Sequence, residues 1–302
     1  MKKFLVLITL ILSSVSFAQQ GASSPYSFYG IGSLKFKGTV ENQSMGGISV
    51  YSDSIHINLR NPAAYAGQNL KSFNDEARPM KYTVGGSQSQ ITLNSNSASE
   101  KSSTASLDYL AIAVPLGKFG AGFGLIPYTS VGYKLQSFNS DQIIQYKYRG
   151  EGGLNKVFLG FGYQISKNFR IGVDASYNFG NIINTNIAFG YNEQGNILQY
   201  QTREINRSDL GGLSYNIGAI YSKLINPNLE FTASATYSPS TEIKSKNQRN
   251  YSTVVIDLNT DQESVLNSIE VDLNGLGLNT TQLKLPTKSS IGFGFGAPRK
   301  WF

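Results

Sequence analysis

The chain has no cysteine and a single histidine, His56, among its 302 residues. The first absence excludes disulfides, thiolate metal sites and a lipid-modified cysteine anchor. The second leaves no multi-histidine metal site, and the acidic residues are scattered rather than clustered. Charge is scarce as well: Asp, Glu, Lys and Arg make up 15% of the chain, against about 25% in soluble domains. No apolar run reaches the roughly 18 residues of a spanning helix, so a helical inner-membrane protein is excluded. No basic cluster interleaved with stacking aromatics is present, which argues against nucleic acid as a partner. The net charge of +7 is that of lysine-rich loops, with attraction to anionic headgroups as the other reading.

What the chain does have is strict alternation. Val157, Leu159, Phe161, Tyr163 and Ile165 form one apolar face, opposed by Gly160, Gly162 and Gln164. After Ser166-Lys167-Asn168 the pattern resumes, with Phe169, Ile171, Val173, Ala175, Tyr177 and Phe179 against Arg170, Gly172, Asp174, Ser176, Asn178 and Gly180. Period two is the signature of strands. A soluble sandwich would use shorter strands with bulky residues packed inward. Here the runs are as long as a tilted membrane strand needs, and the non-apolar face is rich in glycine. Apolar side to lipid and small polar side to a lumen accounts for both features, so the expected fold is an all-β transmembrane antiparallel barrel.

The amino end reads as a secretory signal peptide over residues 1–18: Met1-Lys2-Lys3, an apolar run over 4–12, then Ser16-Phe17-Ala18. A membrane-anchoring helix would need a longer run. Export without a spanning helix points to the outer membrane of a diderm bacterium. Residues 19–79 lack the two-residue period yet keep aromatics and aliphatics, which a disordered tail would lack. They are expected to form an ordered plug, followed by a barrel over 80–302.

Strands are expected near 80–93, 104–116, 119–135, 155–165, 169–190, 210–224, 229–241 and 284–296. Short turns fall at Gly117-Lys118, at 166–168, 225–228 and 297–300. Long polar connections are expected at 94–103, 136–154, 191–209 and after Glu242. That alternation of short and long is the turn-and-loop pattern of outer-membrane barrels. Leu213, Tyr215, Ile217, Ala219 and Tyr221 continue the lipid face, as do Phe231, Ala233, Ala235 and Tyr237, then Ile291, Phe293 and Phe295.

Met45-Gly46-Gly47, Asp53-Ser54 and Asn61-Pro62-Ala63, followed by a barrel, resemble the N-terminal hatch of FadL-type outer-membrane transporters of long-chain fatty acids and aromatic hydrocarbons. Val114-Pro115 and Phe119-Gly120 around the first short turn, and Leu285-Pro286, add to the resemblance, which covers residues 28–302. It implies a hatch built on Gly46, Gly47, Asn61, Pro62 and Ala63. It further implies passive uptake of hydrophobic small molecules, with outer-membrane lipid and lipopolysaccharide as surroundings and no cofactor. The resemblance calls for more strands than are read here, so Trp301-Phe302 is expected to open another.

Pro127 lies within the third strand, where its missing amide breaks one ladder bond. FadL-type barrels kink that strand to open the wall sideways, so Pro127 is the expected lateral opening. An alternative function is a FadL-like barrel that binds proteins in a type IX-like secretion machinery. Enzymatic activity is not expected: Asp53, Ser54 and His56 are sequence neighbours, no nucleophile elbow frames Ser54, and Gly120-x-Gly122-x-Gly124 lacks the spacing of a dinucleotide loop.

Overall fold

Strands that alternate apolar and small or polar residues pair edge to edge, each giving its backbone amides and carbonyls to its neighbour. The computed structural model, which describes residues 24–51, 55–67, 80–94, 99–257 and 260–297, is one curled antiparallel sheet of this kind, a half-barrel. The signal peptide, Asp53, Ser54, Trp301 and Phe302 lie outside the described residues.

The amino-terminal part holds a 3-10 turn at Pro25–Phe28, β1 (Ser33–Leu34), the short helix α1 (Val40–Ser44) and a second 3-10 turn at Pro62–Tyr65. The strands follow: β2 (Lys81–Asn94), β3 (Ser99–Leu116), β4 (Phe119–Pro127), β5 (Thr129–Phe138), β6 (Ile144–Gln164), β7 (Phe169–Ala188), β8 (Gln201–Asn226), β9 (Leu229–Ser238), β10 (Thr241–Asp257), β11 (Gln262–Glu270), β12 (Thr280–Leu285) and β13 (Lys288–Gly296). The main path runs β2-β3-β4-β6-β7-β8-β10-β11. Because β6, β7 and β8 are 21, 20 and 26 residues long, each spans two storeys. In the storey at the short turns, β6 pairs with β4 and β8 with β9; in the far storey, β6 pairs with β5 and β8 with β10.

The storeys meet at a belt of ladder-breaking residues. The chain leaves β4 at Pro127 and enters β5 at Thr129. Pro239 separates β9 from β10, and Pro286 separates β12 from β13. On β6 the same level carries Gly153 with φ +143°, where an added Cβ would run into the carbonyl oxygen of Thr129.

Polarity reverses at this belt. Towards the short turns the outward residues are apolar and exposed, among them Leu159, Phe161, Val173, Ile217, Ile291 and Phe293, while the inward Asp174, Ser176, Asn178, Ser214 and Asn216 are buried. Aromatics edge this band: Phe119 packs 4.6 Å from Tyr163 and Phe231 5.2 Å from Phe295 at the turns, with Tyr177 stacked 6.3 Å from Phe179 at the belt. The stretch from Phe169 to Phe179, at about 3.3 Å per residue and a tilt near 45°, rises roughly 25 Å, the height of a barrel's lipid band. Past the belt, the outward positions of β8 are Arg203, Arg207 and Asp209 instead of Leu213, Tyr215 and Ile217. There the buried cluster is Val131, Tyr133, Leu154, Ile182, Leu210, Ile243 and Leu285.

Several sequence expectations are corrected. The stretch after Glu242 is not a loop but β10, β11 and β12, and much of 136–154 and 191–209 is also strand. These segments stand beyond the apolar band, and their few apolar residues, such as Leu154, Ile243 and Val254, are too widely spaced to form an apolar alternation. The single strand expected over 119–135 is two, and the one expected near 284–296 begins at Lys288. Proline accounts for both, through Pro127 and Pro286.

The band makes a direct prediction. Val173→Arg places a guanidinium mid-band and should lower the unfolding free energy in lipid vesicles by about 2–4 kcal/mol. Arg207→Leu, beyond the belt, should change it by less than about 0.5 kcal/mol. Equal effects from the two would place the band elsewhere.

Candidate functional site

Residues 61–66 are seated on the glycine face of the sheet. Asn58 prepares them: its side-chain oxygen accepts from the backbone amides of Arg60 and Asn61 at 3.0 and 3.1 Å, while its amide donates to the Ser49 carbonyl at 2.8 Å. Asn61 then caps the 3-10 turn by accepting from the Ala63 amide at 3.0 Å, and Pro62 supplies the fixed φ that suits a first helical position. The Asn61 amide group donates to the Ala219 carbonyl at 3.1 Å and to Ser234 Oγ at 2.9 Å. Asn61 is 1% exposed, so these bonds replace every water it would otherwise hold.

The glycines of β4, β6, β7 and β8 face this turn. A Cβ on Gly122 would come within 2.5 Å of the Tyr65 ring and one on Gly160 within 2.7 Å, while one on Gly172 or Gly218 would strike Pro62, Ala63 or Asn61. The small face that reads as lumen is therefore a contact surface for the chain's own amino-terminal part. Burial, with the Asp174 charge adding to it, raises the Tyr65 phenol above its ordinary range.

Gly46 and Gly47 follow α1 with φ of +68° and +85°, and Gly47 donates its amide to the Asn42 carbonyl at 2.7 Å. The Gly47 carbonyl accepts from the Arg60 guanidinium at 2.6 Å. The helix end and the 61–66 turn are thereby tied together. His56 stands 4.0 Å from Glu41.

Pro127 ends β4, and the β3–β4 ladder stops two residues short of it, at Leu110 with Leu125. β1 lies along β5 in the interval beyond: Ser33 pairs with Ser130 and Leu34 with Thr129. Lys35 donates its amide to the Tyr128 carbonyl at 2.9 Å and its ammonium to Ser106 Oγ of β3 at 3.3 Å. Beside Pro127, at the belt, a cavity of about 640 Å³ is lined by Lys37, Arg60, Tyr128, Lys156, Asp174, Lys288 and the hydroxyls of Ser176, Ser214 and Thr236, among others. Tyr128 lies between two ammonium groups, Lys156 at 4.5 Å and Lys288 at 5.2 Å from its ring centroid. No sequence spacing signalled this convergence, since the cations come from the amino-terminal part, β6 and β13. The weak hint available is Lys156, a cation on the inward face of β6 between the buried Leu154 and Phe158.

Asn61→Ala leaves the Ala63 amide without its cap acceptor and removes the donor to Ser234. We expect a loss of about 1–3 kcal/mol in denaturant unfolding and faster trypsin cleavage after Arg60. Unchanged cleavage at Arg60 would show that the seat does not depend on Asn61.

No curated protein and no solved structure matches the chain. One family model does match, over residues 1–302, and it is distinct from the FadL-type transporters. This overturns the FadL resemblance, and with it the reading of a porin-like channel for fatty acids or other hydrophobic compounds. The motifs behind the resemblance answer local needs: Asn61-Pro62 starts a capped turn, and Gly120 yields to the Tyr65 carbonyl. Any curled sheet with a seated segment has such needs, so three-residue matches do not separate families. The matching model is described as BamG, a family associated with the outer membrane of Gram-negative bacteria, and the chain belongs to the BamG family.

Proposed function

We propose that this chain is an outer-membrane component associated with the BAM complex, where it binds partner proteins and serves outer-membrane protein assembly. The observation that carries this reading is the end-to-end match to the BamG family. It lies nearer the protein-binding alternative considered for a secretion machinery than any transport role.

The shape of the molecule supports a scaffold. Its lower storey has an exposed apolar face, 53% exposed at Phe161 and 69% at Phe293, suited to sit in lipid. Residues 61–66 act as a plug on the inner face, leaving that surface to hold protein rather than solute. By the rule that short turns face the periplasm, the far storey stands outside the cell. There Glu263 of β11 joins Arg203 of β8 at 2.8 Å and Arg149 of β6 at 3.6 Å, and Lys147 meets Asp261 at 2.5 Å. These pairs brace β11 against β6 and β8. On β11, Val265, Leu266 and Ile269 are 49%, 59% and 64% exposed. They lie beyond the apolar band, where lipid does not account for them, and exposed apolar groups of this kind suit a protein contact.

Affinity purification of the full chain from detergent-solubilised outer membranes should recover BAM-complex subunits. The pair Leu266→Lys and Ile269→Lys should reduce that recovery at least about fivefold, as loss of an apolar anchor worth roughly 1 kcal/mol would, with folding unchanged by heat-modifiable migration. Purification of the folded parent without any BAM subunit would reject the proposal.

A further inference from the structure

The belt cavity beside Pro127 is unbalanced in charge. Its walls carry the cations of Lys35, Lys37, Lys156, Lys288 and Arg60 and one carboxylate, Asp174; the Lys35 ammonium is turned to Ser106 Oγ. Asp174 is 5% exposed and already accepts from the amide of Asn216 at 2.9 Å and from Ser176 Oγ at 3.4 Å. Among the described residues no carboxylate lies within ion-pair distance of the Lys156 or Lys288 ammonium groups, which press instead on the face of Tyr128; Lys288 also donates to the Tyr128 hydroxyl at 3.1 Å. Burial holds the Lys37 ammonium below its ordinary range, with Asp174 opposing the shift and Arg60 and Lys288 adding to it. Like charges gathered in a partly enclosed site repel at low effective dielectric, and an anion arriving from solution relieves that repulsion.

The rest of the lining narrows the anion's chemistry. Ser214, Thr236, Thr241 and Ser289 supply hydroxyl groups, while the hydroxyls of Ser176 and Ser238 already donate to Asp174 and Asn216. A group with several oxygens directed to different walls satisfies such a ring better than a planar carboxylate, which presents two. Ammonium groups arriving from three separate elements suit a tetrahedral oxyanion approached from several sides. A volume of about 640 Å³ holds more than the ion itself, leaving room for a glycerol or sugar attached to it. The level is also informative, since the belt divides the apolar band from the charged far storey and so lies at the depth of lipid headgroups.

We propose that the belt cavity formed by Lys37, Arg60, Lys156 and Lys288 around Tyr128 binds a phosphoryl group, either free or carried on a lipid headgroup. Association with a protein complex does not require this site, so the two readings fail independently. The test uses the full chain, refolded or purified in a nonionic detergent with chloride as the counterion. Inorganic phosphate is titrated in by calorimetry, and short-chain phosphatidic acid is followed by native mass spectrometry. Binding of phosphate alone identifies a free-ion site, and binding of the lipid alone or of both identifies a headgroup site. In each case the pair Lys156→Gln and Lys288→Gln should weaken binding at least about tenfold, as the loss of charge-assisted bonds predicts. Asp174→Asn should strengthen it, because the opposing carboxylate is gone. Lys147→Gln, in the far storey, should leave it unchanged. Failure of both probes to bind at millimolar concentration, or binding indifferent to the lysine pair, overturns the proposal, with heat-modifiable migration confirming that each variant is folded.

Discussion

Backbone amides and carbonyls kept from water must pair with one another, and most of this molecule follows from that constraint. Each strand crossing the apolar band must give its amides and carbonyls to its neighbours, so β3, β4, β6, β7, β8, β9 and β13 pair through the band without a long break. Prolines that interrupt a ladder are confined to the belt, at Pro127, Pro239 and Pro286. There the surroundings become polar, and a lost bond can be replaced by a side chain or by another strand. At Pro127 both happen: the Tyr128 amide donates to the Leu154 carbonyl at 2.7 Å, Thr129 Oγ1 accepts from the Leu154 amide at 3.1 Å, and β1 takes the free edge of β5.

The same constraint explains the glycines. The 3-10 turn at Pro62–Tyr65 is irregular backbone set at the depth of the band, and such backbone is tolerated only when protein surrounds it. Glycine on the inward face lets it come close enough for Asn61 to reach the Ala219 carbonyl and Ser234, and for the Tyr65 ring to fill the space that side chains at Gly122 and Gly160 would take. The glycines weaken their strands in isolation. The seated turn returns packing that each strand lacks alone. Amino-terminal segment and sheet are thus mutually dependent rather than two separable units.

The belt is also where the functional candidates gather. Polarity changes sides there, the storeys exchange neighbouring strands there, and cations from three distant elements meet there. The proposed role calls for one surface towards lipid and another towards protein, and the change of outward residues on β8 from Tyr215 and Leu213 to Asp209 and Arg207 is where one would give way to the other. Transport demands a clear lumen, and the contacts of residues 61–66 with the inner face run against it.

The sequence by itself determined the band. Alternation over 157–165 and 169–179 identified both faces, because a strand's successive side chains point to opposite sides. It also located the turns at Gly117-Lys118 and 166–168, and the break at Pro127 through its missing amide. It did not reveal β10 to β12, since Glu242, Lys244 and Lys246 alternate with Ser245 and Asn247, polar against polar around the single buried Ile243, and the pairing of β10 with β8, β11 and β12 makes strands of them. Nor did it separate a transporter's hatch from the seated turn of this chain, because short motifs record local backbone needs that unrelated folds share. Only the tertiary structure brought Lys37, Lys156 and Lys288 around Tyr128, since the curl of the sheet joins residues whose positions in the chain carry no common period.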